Sequence, residues 1–207
     1  MERFVVDRQA PDAAMLGTAA AVLRSGGVVA YPTDTLYGLA ADPRSDAAVA
    51  RLFDLKGRDA ASAIALIAAD AETAAHAGTF GPIERQLAAA FWPGPLTVVV
   101  RAAGNMAAAL SPGGTIGVRV PAHAVARGLS SAFGGCITAT SANRTGAPPC
   151  VTADEVAEAL GDGVDLVIDA GPSPGGAPST IVEVVGGRLT LHRAGAVPWE
   201  RVLESVG

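Results

Sequence analysis

Gly26-Gly27-Val28-Val29-Ala30-Tyr31-Pro32-Thr33-Asp34-Thr35-Leu36-Tyr37-Gly38-Leu39 carries three consecutive structural signals. The two glycines close residues 12–25, which read as a helix. Residues 28–31 read as a short buried strand, stopped by Pro32. Hydroxyls and one carboxylate follow directly, on a loop at the strand end, where a polar ligand can be held. Taken alone, these residues are better accounted for by an Asx or Ser/Thr turn.

Working outward, helix-like and strand-like segments alternate. Ser45 is a good N-cap for a helix through Leu55, with Val49, Leu52 and Phe53 on one face. Strands are expected at 62–68, 96–101, 115–120, 136–139 and 165–169. Helices are expected near 70–77, 82–91 and 122–132. Thr152 and Glu155 form a capping box for a helix to Leu160. A Gly/Pro loop covers 171–178, and 180–185 with 188–192 read as a hairpin across Gly186-Gly187. A last helix covers about 198–205. Nothing resembles an interdomain linker. Residues 1–207 read as a single α/β domain, its sheet mixed because of the late hairpin.

Half of the 207 residues are hydrophobic and only 4% are aromatic, so the core is built from Ala, Val, Leu and Ile. No run is long and apolar enough to span a membrane, and residues 1–7 do not read as a signal peptide. Cys136 and Cys150 fit neither a disulfide framework nor a metal spacing, and the three histidines are scattered. The expected location is the cytoplasm. A net charge of −5 and the few aromatics speak against a general nucleic-acid-binding surface.

Lys56 is the only lysine among fifteen basic residues. Keeping one compact ammonium in Lys56-Gly57-Arg58 suits a site where a point charge sits among phosphate oxygens beside a two-pronged guanidinium. A solvated charge after a helix is the plain alternative. Further polar clusters are 115–121, where Arg119 interrupts an apolar strand, and 138–143, rich in small hydroxyl residues. Residues 178–182, with His192 to Gly195 close behind, complete the set. A buried Arg119 needs a partner, either a ligand carboxylate or a structural Asp or Glu. There is no P-loop, no dinucleotide fingerprint and no nucleophile elbow. The residues alone point to a cavity for a ligand bearing phosphate and carboxylate groups.

The order of these clusters resembles the YrdC family of threonylcarbamoyl-AMP synthases, from about Val22 to Gly195. The resemblance is carried by Pro32-Thr33-Asp34-Thr35-Leu36-Tyr37-Gly38-Leu39, Lys56-x-Arg58, Trp92-Pro93-Gly94-Pro95-Leu96-Thr97, Gly117-Val118-Arg119-Val120-Pro121, Ala139-Thr140-Ser141-Ala142-Asn143 with Gly146, and Ser179-Thr180-Ile181-Val182. It implies a twisted open mixed sheet with flanking helices and a deep basic cavity. The implied reaction converts L-threonine, bicarbonate and ATP, with Mg²⁺, into threonylcarbamoyl-adenylate and pyrophosphate. A partner transferase complex then passes the threonylcarbamoyl group to tRNA adenosine. The resemblance is to the short type, without the extra C-terminal domain of longer members.

By the same resemblance, Lys56 and Arg58 are the catalytic pair and hold the triphosphate. Thr33, Arg119, Thr138, Ala139 and Ser179 contact L-threonine, with Arg119 on its carboxylate. Thr115, Ser141, Asn143 and Arg193 serve ATP. No residue is assigned as a metal ligand. Many members have Pro after Lys-x-Arg and then a Pro-Leu pair, where this chain has Asp59 and Ala63-Ile64; some have His near position 67, here Ile67. Asp59 puts a negative charge near the implied phosphate site, where it could also help hold Mg²⁺. The alternatives are a diverged paralogue with carbamoyl-adenylate chemistry and a non-catalytic RNA-binding module. Known carbamoyl-type relatives carry zinc-finger and acylphosphatase-like parts, which this sequence lacks.

Overall fold

Strand β2 (Val29–Pro32) is buried along its whole length and alternates its side chains between two cores. Val28 and Ala30 face one apolar cluster, and Val29 and Tyr31 face another. A central strand buried on both faces requires layers on both sides of the sheet, as α/β architecture supplies. In this computed structural model, residues 1–57 and 63–207 are described.

The elements follow in the order β1 (Glu2–Val5), α1 (Ala13–Arg24), β2, β3 (Tyr37–Ala40), α2 (Asp46–Lys56), β4 (Ala65–Ile67), α3 (Ala71–Ala75), β5 (Gly78–Thr79), α4 (Pro82–Phe91), β6 (Leu96–Ala102), β7 (Thr115–Arg119), α5 (Ala124–Phe133), β8 (Ile137–Ser141), α6 (Ala153–Leu160), β9 (Leu166–Asp169), β10 (Thr180–Val185), β11 (Arg188–Arg193) and α7 (Trp199–Glu204). The strands run β1-β9-β2-β3-β8-β4-β7-β6-β10-β11 across one sheet, with β5 paired to β6. Parallel and antiparallel ladders mix, as expected from the hairpin.

Local chemistry explains the element ends. Asp12 caps α1 by accepting from the amides of Ala14 and Met15, and Ser45 caps α2 through the Ala48 amide. The capping box of Thr152 and Glu155 is formed at α6. Gly57 ends α2 at φ +58°, where a Cβ would be strained.

Two readings of the sequence need correction. Residues 32–39 are not one loop. Only Thr33 to Leu36 turn, and Tyr37–Ala40 return as β3, antiparallel to β2. The expected strand at 62–68 is described only as β4, Ala65–Ile67; Ser62 lies outside the described residues.

Strand β8 positions the site. Its first half pairs with β4, with Ala65 opposite Ala139 and Leu66 opposite Thr138. Its second half pairs with β3, with Leu39 opposite Thr140 and Gly38 opposite Ser141. The strand thus changes partner in mid-course and joins the two halves of the sheet.

Candidate active site

A cleft of about 430 Å³ lies over this junction. It is lined by the β2–β3 turn, by β4, β6 and β7, by the end of β8 with Asn143, and by the 176–181 segment with Arg193. Its described charged lining residues are Arg119 and Arg193. Most other lining groups are small hydroxyl or apolar side chains, a size of cleft and a mixture suited to one small polar ligand.

The β2–β3 turn is organised by Thr33. Its Oγ1 donates to the Leu36 carbonyl at 2.6 Å and accepts from the Thr35 and Leu36 amides at 3.1 Å. These are the bonds of a Ser/Thr turn, made by a residue that also lines the cleft. The turn presents Asp34 to Arg119. The Arg119 guanidinium donates through Nη2 to Asp34 and through Nε to the Gly94 carbonyl at 2.9 Å. Both of the partners foreseen for this arginine are therefore open to it: a structural carboxylate is present, and no described residue takes a hydrogen bond from Nη1. Burial pushes the Tyr31 and Tyr37 phenols well above their ordinary range, so both stay neutral.

Opposite, Ser179 shares a 2.9 Å hydrogen bond with Thr97 and accepts from Arg193 through both its hydroxyl and its carbonyl. Gly195 makes this possible: a Cβ there would stand 2.3 Å from the Pro178 carbonyl oxygen and 2.6 Å from the Thr180 nitrogen. Only a glycine lets the chain after β11 lie this close to the Ser179 backbone.

Asn143 donates from Nδ2 to the Arg144 and Ala147 carbonyls at 3.0 and 2.7 Å. Those bonds fix the amide, and its buried Oδ1 has no partner among the described residues. A lone acceptor beside the cleft is available to a ligand donor.

Lys56 is placed differently from a cleft-lining residue. It is 3% exposed at the end of α2, and its ammonium donates to the Ser141 and Asn143 carbonyls at 2.5 and 2.9 Å. Its own carbonyl accepts from the Thr145 amide. The end of α2 thus clamps the loop that leaves β8. Thr138 is fully buried, and its hydroxyl accepts from the Ala41 amide at 2.7 Å. Neither it nor Thr115 lines the cleft. Arg58 and Asp59 lie outside the described residues. The structure therefore brings together Thr33, Arg119, Ala139, Ser141, Asn143, Ser179 and Arg193. The pairing of Thr97 with Ser179 and of Asp34 with Arg119 is not legible in the sequence; the only signal for it is that Thr97 and Asp34 lie inside two of the quoted motifs.

Among the described residues, no group of three or more His, Cys, Asp or Glu is arranged to hold a metal ion. No helix among them is long and apolar enough to cross a membrane.

Junction, cleft and layers define a mixed α/β domain with a polar cleft over the junction of its half-sheets. Residues 21–195 match the Sua5/YciO/YrdC family, described as "Telomere recombination". The chain belongs to that family. It is 44% identical over 152 residues to a threonylcarbamoyl-AMP synthase of Halorhodospira halophila, covering 72% of this chain and 80% of that protein. It is 40% identical over 181 residues to a threonylcarbamoyl-AMP synthase of Chromohalobacter salexigens, covering 86% of this chain and 96% of that protein. Among solved structures it matches P. abyssi Sua5 complexed with L-threonine, at a TM-score of 0.93 and 32% identity. That match covers 100% of this chain but spans only 61% of the archaeal chain, under two thirds of its length.

Proposed function

We propose that this chain is an L-threonylcarbamoyladenylate synthase, a nucleotidyltransferase that consumes L-threonine, bicarbonate and ATP and releases pyrophosphate. One observation carries the reading. A single cleft collects Thr33, Arg119, Ala139, Ser141, Asn143, Ser179 and Arg193 from strands and loops distant in sequence. The names of the relatives agree with it.

In this reading L-threonine lies between the Thr33 turn, Ala139 and Ser179. Its carboxylate takes the Nη1 edge of Arg119, whose other donors are held by Asp34 and Gly94. The nucleotide lies toward Ser141, Asn143 and Arg193, with Oδ1 of Asn143 as acceptor for a ligand donor. Bicarbonate gives up hydroxide to form CO₂, the threonine amine adds to its carbon, and the proton released by the nitrogen combines with that hydroxide as water, leaving a carbamate. A carbamate oxygen then attacks the α-phosphorus, the bond to the bridging oxygen breaks, and pyrophosphate leaves.

The protein contributes position and charge rather than a covalent intermediate. Lys56 acts first through the loop it clamps, and in this reading its ammonium also faces the phosphate oxygens. Arg58 adds the second charge. The described lining offers hydroxyls, carbonyls and guanidinium groups but no carboxylate. In this reading Mg²⁺ enters with ATP as part of the metal–nucleotide substrate. The product passes to a tRNA threonylcarbamoyl-transferase complex in the cytoplasm.

Pyrophosphate release from ATP and Mg²⁺, with and without L-threonine and bicarbonate, tests the reading. Release that needs both supports it. Release without threonine points to carbamoyl-adenylate chemistry, and no release despite ATP binding points to a diverged paralogue.

A further inference from the structure

A second cavity, of about 310 Å³, lies outside the cleft at the N-terminus of α5, with Arg8, Gln9, Asp34, His123 and Pro174 among its walls. Three independent features of it point to negative charge.

The first is the helix end. His123 is the N-cap of the ten-residue α5, yet its side chain makes no capping bond. The first amides of a helix have no intrahelical acceptor, and the helix dipole makes that end positive. The second is His123 itself. It is only 6% exposed, and neither Nδ1 nor Nε2 has a hydrogen-bond partner among the described residues. Buried polar groups are almost always paired, so an imbalance of this kind at a cavity wall marks a place for a ligand atom. The third is the charge around it. Arg8 lines the cavity, and Arg127 stands nearby, donating to the Pro121 carbonyl at 2.9 Å. The one carboxylate in the wall, Asp34, is already paired with Arg119. Burial first, and then Arg8, lower the His123 pKa to about 4. At neutral pH the ring is therefore uncharged and presents one N–H donor and one acceptor.

We propose that this cavity binds a small oxyanion, a phosphate or carboxylate group, held by the first amides of α5, the His123 ring N–H and the Arg8 guanidinium. The site is separate from the threonine and nucleotide cleft, and the inference does not depend on the reaction assigned to that cleft. The two are linked physically, because Asp34 forms a wall of the small cavity and pairs with an arginine of the large one.

The test follows the ring nitrogens of His76, His123 and His192 by NMR in the ¹⁵N-histidine-labelled full chain at neutral pH and constant ionic strength. Sodium phosphate and sodium acetate are titrated separately, and a His123→Asn spectrum assigns the resonance. The expected result is a saturable shift confined to the His123 ring, with affinity reduced about tenfold in Arg8→Ala, the loss typical of one charge-assisted contact. Arg8 is exposed, so that variant folds. A response to phosphate alone assigns a tetrahedral anion, and a response to acetate alone assigns a carboxylate; each supports the site. Arg193→Ala, which alters only the large cleft, should leave the response intact. No His123 shift with either anion overturns the proposal. So does a shift that survives Arg8→Ala but is lost in Arg193→Ala, because the anion would then occupy the large cleft.

Discussion

Asp34 and Arg119 form an ion pair across the partition between two cavities: Arg119 lines the larger one and Asp34 the smaller. Their side chains are 16% and 9% exposed, so the pair is largely withdrawn from water. Such a pair fixes the direction of a guanidinium, which a flexible arginine alone does not do. Asp34→Asn keeps the shape and removes the charge. The expected outcome is a rise of about tenfold in the KM for L-threonine with a KM for ATP that changes less than twofold. Steady-state pyrophosphate release reads both. Equal changes in the two constants would mean that the pair supports the domain as a whole rather than the threonine end.

Lys56 gives a prediction about stability before one about catalysis. Lys56→Met keeps the apolar stem and removes the ammonium, leaving the Ser141 and Asn143 carbonyls without their buried donor. Losing such partners costs about 1–3 kcal/mol each where no water replaces them. For two such partners in a chain of this size, a fall in Tm of roughly 4–24 °C is expected. Lys56→Arg should not restore it, because a planar fork does not fit the space of a compact ammonium. An unchanged Tm with lost turnover would instead place the ammonium on phosphate alone.

The same residue shows what the sequence does and does not reveal. Its rarity singles out position 56, but the two carbonyls that its ammonium bonds, of Ser141 and Asn143, carry no side-chain signature. Regular periodic stretches were legible: α1, α2, α4, α6 and the β10–β11 hairpin lie within a residue or two of their expected limits. Short strands were not. Residues Glu2–Val5 pair with β9 at the sheet edge, mostly exposed, so they lack a buried face to read. Tyr37–Ala40 hid inside a run whose hydroxyls suggested a loop. Thr138 and Ser141 look alike in the motif. The pleat and the change of partner along β8 bury the first and bring the second to the cleft. Nothing in the sequence around His123 marks it as buried, yet it is the N-cap of α5 and almost fully enclosed.

Thr138 should therefore separate from its neighbours in function. Its hydroxyl satisfies the Ala41 amide, joining β8 to the chain just after β3. Thr138→Val is nearly isosteric and strands that amide in the core, at a cost of about 1–3 kcal/mol. Urea unfolding should show a lower midpoint at unchanged slope. The KM values for threonine and ATP should stay within twofold of the parent chain. A selective rise in the threonine KM would restore the substrate-contact role that the sequence resemblance implied.

Acid sensitivity should concentrate where β9 meets β1. Burial alone would raise the Asp169 pKa, but hydrogen bonds from Arg3 and from the Gly171 amide outweigh it, and the net shift is below the ordinary 3.8. Asp169 accepts from Arg3 Nε and Nη2 at 3.0 and 2.6 Å, and from Gly171 N at 2.9 Å. A carboxyl whose pKa is lower in the folded state binds fewer protons there than in the unfolded state. Its contribution is complete above the unfolded pKa and is lost as pH falls through the folded one. The parent chain should therefore lose stability below about pH 4 in part through this group. Asp169→Asn should have the lower urea midpoint at pH 7, and the gap between the two proteins should hold down to about pH 4 and narrow below it. A gap that stays constant from pH 7 to pH 3 would show that the Asp169 charge does not hold the edge strand in place.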